Sequence, residues 1–202
     1  MAALMVIYHV PGLSPSTHLH LNGKVLAQIF AGQITRWDDP AIKNLNPGVT
    51  LPGTAIVLVH RSDTSGSTVR SVPGAIGYVG VSYLSTVTSD NEGEAALGNS
   101  AGNFMLPTAS TIQAGLASFT NTPANETMSL INGSGADVYP IINYEYAIVS
   151  ISQASATLAQ DLRAFLSWAI STGSAQLAQV NFQPLPPSVV MLSLAQIAKI
   201  KG

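Results

Sequence analysis

Apolar residues come in short runs along this chain, separated by proline, glycine and small polar residues, and their spacing predicts alternating strands and helices. Leu4-Met5-Val6-Ile7-Tyr8-His9-Val10 is continuous and of strand length, closed by Pro11-Gly12, which predicts a buried strand. Residues 19–21 form a second extended piece. Asn22 is placed to cap a helix over 23–31, with Val25, Leu26, Ile29 and Phe30 on one face and Gly32 as its stop. A short helix over 41–45 follows Asp39-Pro40, and strands are expected over 55–60 and 75–79. The small, polar stretch 85–102 reads as surface loop. A helix is expected over 107–119 with Thr108 or Ser110 as its cap, then a short segment at 128–131 and a strand over 144–150. The tail reads as helices over 154–171, 174–180 and 188–200. Such alternation argues for an α/β class with a mainly parallel sheet flanked by helices.

Composition narrows the function classes. Of 202 residues, 47% are hydrophobic and only 9% charged, so the surface is built largely from Ser, Thr, Asn, Gln and Gly. The formal charge is -2 and the basic residues are scattered, which argues against a nucleic-acid partner. Mean hydropathy is +0.32, yet no apolar run approaches the roughly 20 residues a membrane span requires. Cysteine is absent, which fits export. Met1-Ala2-Ala3-Leu4 lacks a signal-peptide pattern, so the protein is expected either to be cytosolic or to start upstream of this sequence.

The segment with the most chemistry is His60-Arg61-Ser62-Asp63-Thr64-Ser65-Gly66-Ser67-Thr68, directly after an expected strand. Loops at the carboxyl ends of strands are where open α/β sheets bind ligands. Ser65, Ser67 and Thr68 offer hydroxyl donors, Gly66 lets backbone N–H groups approach an anion, and Arg61 offers a planar charged fork for two oxygens. A helix beginning near Ser67 would add free N–H groups. Asp63 fits best as a partner for Arg61. The plainer alternative is a Ser/Thr/Gly turn with Arg61 and Asp63 as a surface ion pair. The Gly-x-x-x-x-Gly-Lys of a phosphate-binding P-loop is missing. His18 and His20 could share one strand face as metal ligands, but no third ligand is near in sequence. His60, Asp63 and Ser65 are triad residue types without a nucleophile elbow. Trp37 and Trp168 are expected in the core, and Tyr139, Tyr144 and Tyr146 on a half-buried strand.

Five stretches together carry a resemblance. They are residues 21–40 (LNGKVLAQIFAGQITRWDDP), Leu45-Asn46-Pro47-Gly48 with Leu51-Pro52, the 60–68 loop, Val72-Pro73-Gly74-Ala75-Ile76-Gly77-Tyr78-Val79, and Tyr139-Pro140-Ile141-Ile142-Asn143-Tyr144-Glu145-Tyr146. The sequence resembles the phosphate-binding proteins of the high-affinity phosphate-specific ABC transport system, particularly their actinobacterial lipoprotein members. The resemblance implies a type II periplasmic-binding-protein fold with two α/β lobes and a cleft that closes on one phosphate. It implies no enzyme activity and no cofactor. Inorganic phosphate is the implied ligand and the ABC permease subunits the implied partner. The implied location is extracytoplasmic, with any membrane association only through a lipid anchor absent from this sequence. Arg61, Asp63, Ser65, Gly66 and Ser67 are the implied phosphate-binding residues. Residues 5–145 would form mostly the second lobe, and 146–202 the helices that pack on the first. The family's first lobe, which precedes the opening strand, is nearly all missing here. Only Val69-Arg70-Ser71 separate the loop from the Val72–Val79 stretch, so the helix after the loop is expected to be absent too. The alternative is a truncated, engineered or degenerate lobe that acts as a surface or interaction protein without binding phosphate.

Overall fold

The opening apolar run forms the centre of the main sheet. A computed structural model describes residues 1–59 and 65–202, and of residues 65–67 the backbone alone. Strand β1 (Ala2–His9) buries Met5, Ile7 and Tyr8 almost completely. A strand apolar at nearly every position has to be covered on both faces, which places it inside a sheet rather than at its rim. β4 (Ala75–Gly80) runs antiparallel along one edge of β1, from Leu4 opposite Gly80 to His9 opposite Ala75. The other edge is shared. β9 (Ile141–Asn143) pairs there with Ala2 and Ala3, and β5 (Gly93–Glu94) with Ile7 and Tyr8. β3 (Val57–Leu58) lies parallel to β4, and β8 (Leu130–Ile131) antiparallel to β9. A smaller sheet joins β2 (His20–Leu21), β6 (Ala96–Gly98) and β7 (Phe104–Met105).

The α/β class holds, but the sheet is not mainly parallel. β3, β4, β5 and β9 share one direction, while β1 stands among them running the other way. Among the described strands only β3–β4 and β2–β6 pair in parallel, apart from an isolated parallel bridge between Ser152 and Lys201. Alternating strands and helices set the layers, not the strand directions. A parallel neighbour needs a crossover back to the strand's starting end. Here Ala75 enters the sheet beside His9, the residue at which β1 ended, so no return is required.

Helices cover the sheet where the sequence supplies caps. Asn22 accepts the Val25 N–H at 2.9 Å and starts α1 (Gly23–Phe30), which turns Val25 and Ile29 inward. Gly32, at φ +69°, takes the left-handed turn after that helix. Asp39 accepts the Ala41 N–H at 2.8 Å and starts α2 (Pro40–Leu45). Thr108 and Thr111 form a reciprocal capping pair at the start of α5 (Ala109–Ala117), which buries Ile112 and Leu116. The chain ends in α6 (Ala156–Ala169), a 3-10 stretch (Thr172–Val180) and α7 (Pro187–Ile197).

Several expectations are corrected. The polar 85–102 stretch is not a surface loop: α4 (Leu84–Ser89), β5 and β6 lie within it, and residues 92–97 are all buried. Two carboxyl groups and a glycine hid an interior strand. The strand expected over 144–150 ends instead at Asn143, as β9. Trp37 is fully buried, its Nε1–H donating to the Gly74 carbonyl at 3.0 Å, but Trp168 is half exposed. Tyr139 and Tyr144 are buried, whereas Tyr146 is exposed.

Candidate functional site

Sheet geometry places the end of β3 at a definite edge. β3 is parallel to β4, and both are opposed to β1, so the carboxyl ends of β3 and β4 lie at the edge where β1 begins. β9 also ends there, with Asn143 opposite Ala2. Val59 extends β3 by donating its N–H to the Ile76 carbonyl at 2.9 Å. His60, Arg61, Ser62, Asp63 and Thr64 lie outside the described residues. Backbone describable again from Ser65 forms α3 (Ser65–Ser71), whose first turn contains Ser65, Gly66 and Ser67. Three of the five expected site residues are therefore brought together at the opening of one helix. Arg61 and Asp63 remain outside.

The helix expected to be absent is thus present, though it has only seven residues. Tertiary packing holds it. Val69 is fully buried, and a Cβ added at Gly77 of β4 would stand 3.0 Å from its Cγ2. Gly77 is what lets α3 lie this close to the sheet. Arg70 forms an ion pair with Asp90 at 2.9 Å, tying the last turn of α3 to the residue after α4. Pro73 disfavours helical backbone at Val72, and α3 stops one residue earlier.

Two other features meet the same edge. Gln183 exchanges backbone hydrogen bonds with Met1 at 2.9 and 3.0 Å. Asn181 donates to the Val81 carbonyl at 3.4 Å, just past β4. The chain between the 3-10 stretch and α7 therefore lies against the start of β1 and the end of β4.

Sequence reasoning missed two buried acids in and beside β5, which pairs with Ile7 and Tyr8 toward the opposite end of β1 from this edge. Glu92 lies in the interior, and burial pushes its carboxyl up to about 7; the Asp90 charge pushes the same way, against Arg70. Burial also raises the Glu94 carboxyl, against the pull of His18. No periodic signal marks either residue, because each stands in a short stretch that mixes charge with small residues. The His18/His20 pair has structural work instead. His18 Nδ1 lies 3.0 Å from the Glu94 carbonyl, and the His20 ring stacks on Phe104 at 4.2 Å between centroids. Among the described residues no cluster of three His, Cys, Asp or Glu side chains could hold a metal ion. No described helix is long and apolar enough to cross a membrane.

Comparison with known proteins bears on the family and the fold. The family model described as a PBP superfamily domain matches residues 1–172. The phosphate-binding protein PstS of Xylella fastidiosa is 27% identical over 214 aligned positions, which cover 85% of this chain and 58% of that protein. The PstS 2 protein of Mycobacterium tuberculosis is 28% identical, covering 92% and 61%. The PstS of Methanocaldococcus jannaschii aligns over 261 positions at 26% identity, covering 100% and 66%. This chain thus spans less than two thirds of these relatives' length. The last alignment is longer than the chain itself, so the archaeal protein carries segments inside the matched region that this one lacks. A phosphate-binding protein from Stenotrophomonas maltophilia shares the fold at a TM-score of 0.69 and 15% identity, with 96% of this chain and 68% of that one superposed. A high-affinity periplasmic phosphate-binding protein solved with phosphate bound matches at 0.65 and 16%, over 98% and 68%.

Proposed function

We propose a phosphate-binding function on one premise: this chain belongs to the PBP superfamily. In this reading it binds inorganic phosphate outside the cytoplasm and delivers it to the permease subunits of an ABC importer. It acts as a binding protein and not as an enzyme. The observation that carries the reading is that Ser65, Gly66 and Ser67 open α3, the next described element after β3, whose carboxyl end lies at the edge where β1 begins. Ser65 and Ser67 would donate hydroxyl hydrogen bonds and Gly66 its backbone N–H. Arg61 would supply the charged fork, held by Asp63. The relatives named as phosphate-binding proteins support phosphate as the oxyanion. Residues 5–145 would serve as most of the second lobe, and 146–202 as the helices that pack on the first.

Calorimetric titration of the chain with inorganic phosphate tests this. Saturable heat is expected with phosphate and much less with sulfate, which lacks a donor proton at neutral pH. Arg61→Ala is expected to weaken binding at least tenfold, since a charge-assisted bidentate contact is lost. Full affinity in that variant would move the site elsewhere. The second reading is a truncated, engineered or degenerate lobe that acts as a surface or interaction protein without binding phosphate. Absence of heat at millimolar phosphate selects it.

A further inference from the structure

Glu94 is an interior acid whose hydrogen bonding is incomplete. It is 9% exposed, and its Oε1 is buried with no hydrogen-bond partner among the described residues. A buried polar atom is costly unless something satisfies it. Burial favours the protonated form of this carboxyl, against the pull of His18. The other titratable groups that face it, Tyr8 and Tyr139, are themselves raised by burial and stay neutral. Glu94 in that form is a hydrogen-bond donor.

The same residue lines a cleft of about 220 Å³, bounded by the starts of α4 and α5 and by the chain over 178–183. Gln183, 7% exposed, lines it too, held in place by its backbone bonds to Met1. Its Oε1 accepts the Gln113 Nε2–H at 2.8 Å, which leaves its own amide N–H pair with no described partner. Ala109, the first residue of α5, adds an N–H that has no partner inside the helix. Other polar groups of the cleft are engaged. The Thr108 hydroxyl meets Ser110 and Thr111, and the Asn181 amide donates to the Val81 carbonyl. What is left over is a set of donors: a carboxyl O–H, an amide N–H pair and a helix-start N–H. Leu84, Leu106, Pro107 and Ala178 supply apolar walls. Donors set among apolar walls suit a carboxylate carried on a short hydrocarbon. The positive end of α5 favours a negative charge there and opposes a cation. A cavity of about 150 Å³ admits benzene, so this cleft has room for a ligand of that size or slightly larger.

We propose that this cleft binds a short-chain monocarboxylate. The ligand's two oxygens accept from Glu94, the Gln183 amide and the start of α5, and its hydrocarbon lies on Leu84, Leu106 and Ala178. The proposal goes beyond the phosphate reading, and its test measures a carboxylate without phosphate, so either can fail alone.

The test titrates the chain with sodium isobutyrate in phosphate-free buffer and follows backbone amides by nuclear magnetic resonance. Saturable shifts are expected at Ala109, Ser110 and Gln183, with a dissociation constant on the order of 1 mM. Isobutylammonium, similar in shape and opposite in charge, is expected to leave those amides unmoved. Gln183→Leu and Ala178→Trp are each expected to weaken binding at least tenfold. The first removes a donor; the second fills the cleft from an exposed position and leaves the interior untouched. In the unaltered chain, affinity is expected to fall by up to about tenfold per pH unit once Glu94 ionises, because a second negative charge then faces the ligand. Glu94→Gln keeps a donor, so binding is expected to persist while that fall disappears. Any of five results overturns the proposal: no saturable shifts, equal shifts with isobutylammonium, undiminished affinity in Ala178→Trp, an unchanged pH dependence in Glu94→Gln, or displacement of isobutyrate by inorganic phosphate.

Discussion

Gly93 stands where a Cβ would overlap the ring of Tyr8 on the neighbouring strand. That ring cannot easily yield. Its hydroxyl donates to the Thr17 carbonyl and accepts the Leu19 N–H at 3.1 Å, and its face meets Trp37 at 5.8 Å between centroids. Gly93→Ala is expected to destabilise the fold by about 1–3 kcal/mol through overpacking. Urea unfolding would read this as a lower midpoint at unchanged slope, and an unchanged midpoint would contradict the packing described. The same position shows why part of the interior was hidden in the sequence. Local reading takes a glycine between two glutamates as surface, because burial of both carboxyls depends on strands far away in the chain. The cap at Asn22 was legible for the opposite reason: its hydrogen bond closes within three residues.

At the scale of elements, α3 is the least self-sufficient. Its seven residues include glycine, two serines before Val69, and two β-branched residues, all weak helix formers. Among the described residues, two side-chain contacts of α3 can be ranked by magnitude. The Arg70–Asp90 pair has its arginine more than half exposed, so it contributes under about 1 kcal/mol. Burial of Val69 against Gly77 contributes about 1–3 kcal/mol. Val69→Ala is therefore expected to cost more stability than Arg70→Ala in parallel denaturant titrations, and the reverse order would refute this ranking. In sequence the residue types of the 60–68 loop suggested an anion site, while the helix it opens was not legible. The resemblance pointed to a missing segment, whereas the chain builds a short helix from the loop's own serines and stops it ahead of Val72-Pro73. Helix propensity could not reveal this, since the stabilising contact lies on another element.

For the molecule as a whole, stability should depend on pH through its interior acids. The Glu92 carboxyl is raised to about 7 in the folded state from an ordinary 4.5. The folded protein then holds more protons than the unfolded chain between those values. Stability is accordingly greatest below the lower value, falls as pH rises across the window by up to about 1.4 kcal/mol per pH unit, and levels off above it. Glu94 adds in the same direction. Glu92→Gln is expected to flatten the slope of unfolding free energy between pH 5 and 7, in units of about one proton. Equal slopes in the two proteins would show that Glu92 does not titrate with folding. Molecular scale is also where sequence reading reached its limit. Alternating runs specified an α/β class, but the reversed direction of β1 depends on where Ala75 re-enters the sheet, and no local pattern encodes that.

The central place of β1 has a consequence for biogenesis. This strand leaves the ribosome before any of its neighbours, which lie at 75–80, 93–94 and 141–143. At roughly 5–20 residues per second, the last of them follows on the order of ten seconds later. Until β4 emerges the most apolar strand of the protein has no partner, and until β9 emerges one of its edges is incomplete. A nascent chain in that condition is a natural client for chaperones that shield extended apolar segments, and its yield in a cell will depend on their supply more than on the stability of the finished fold.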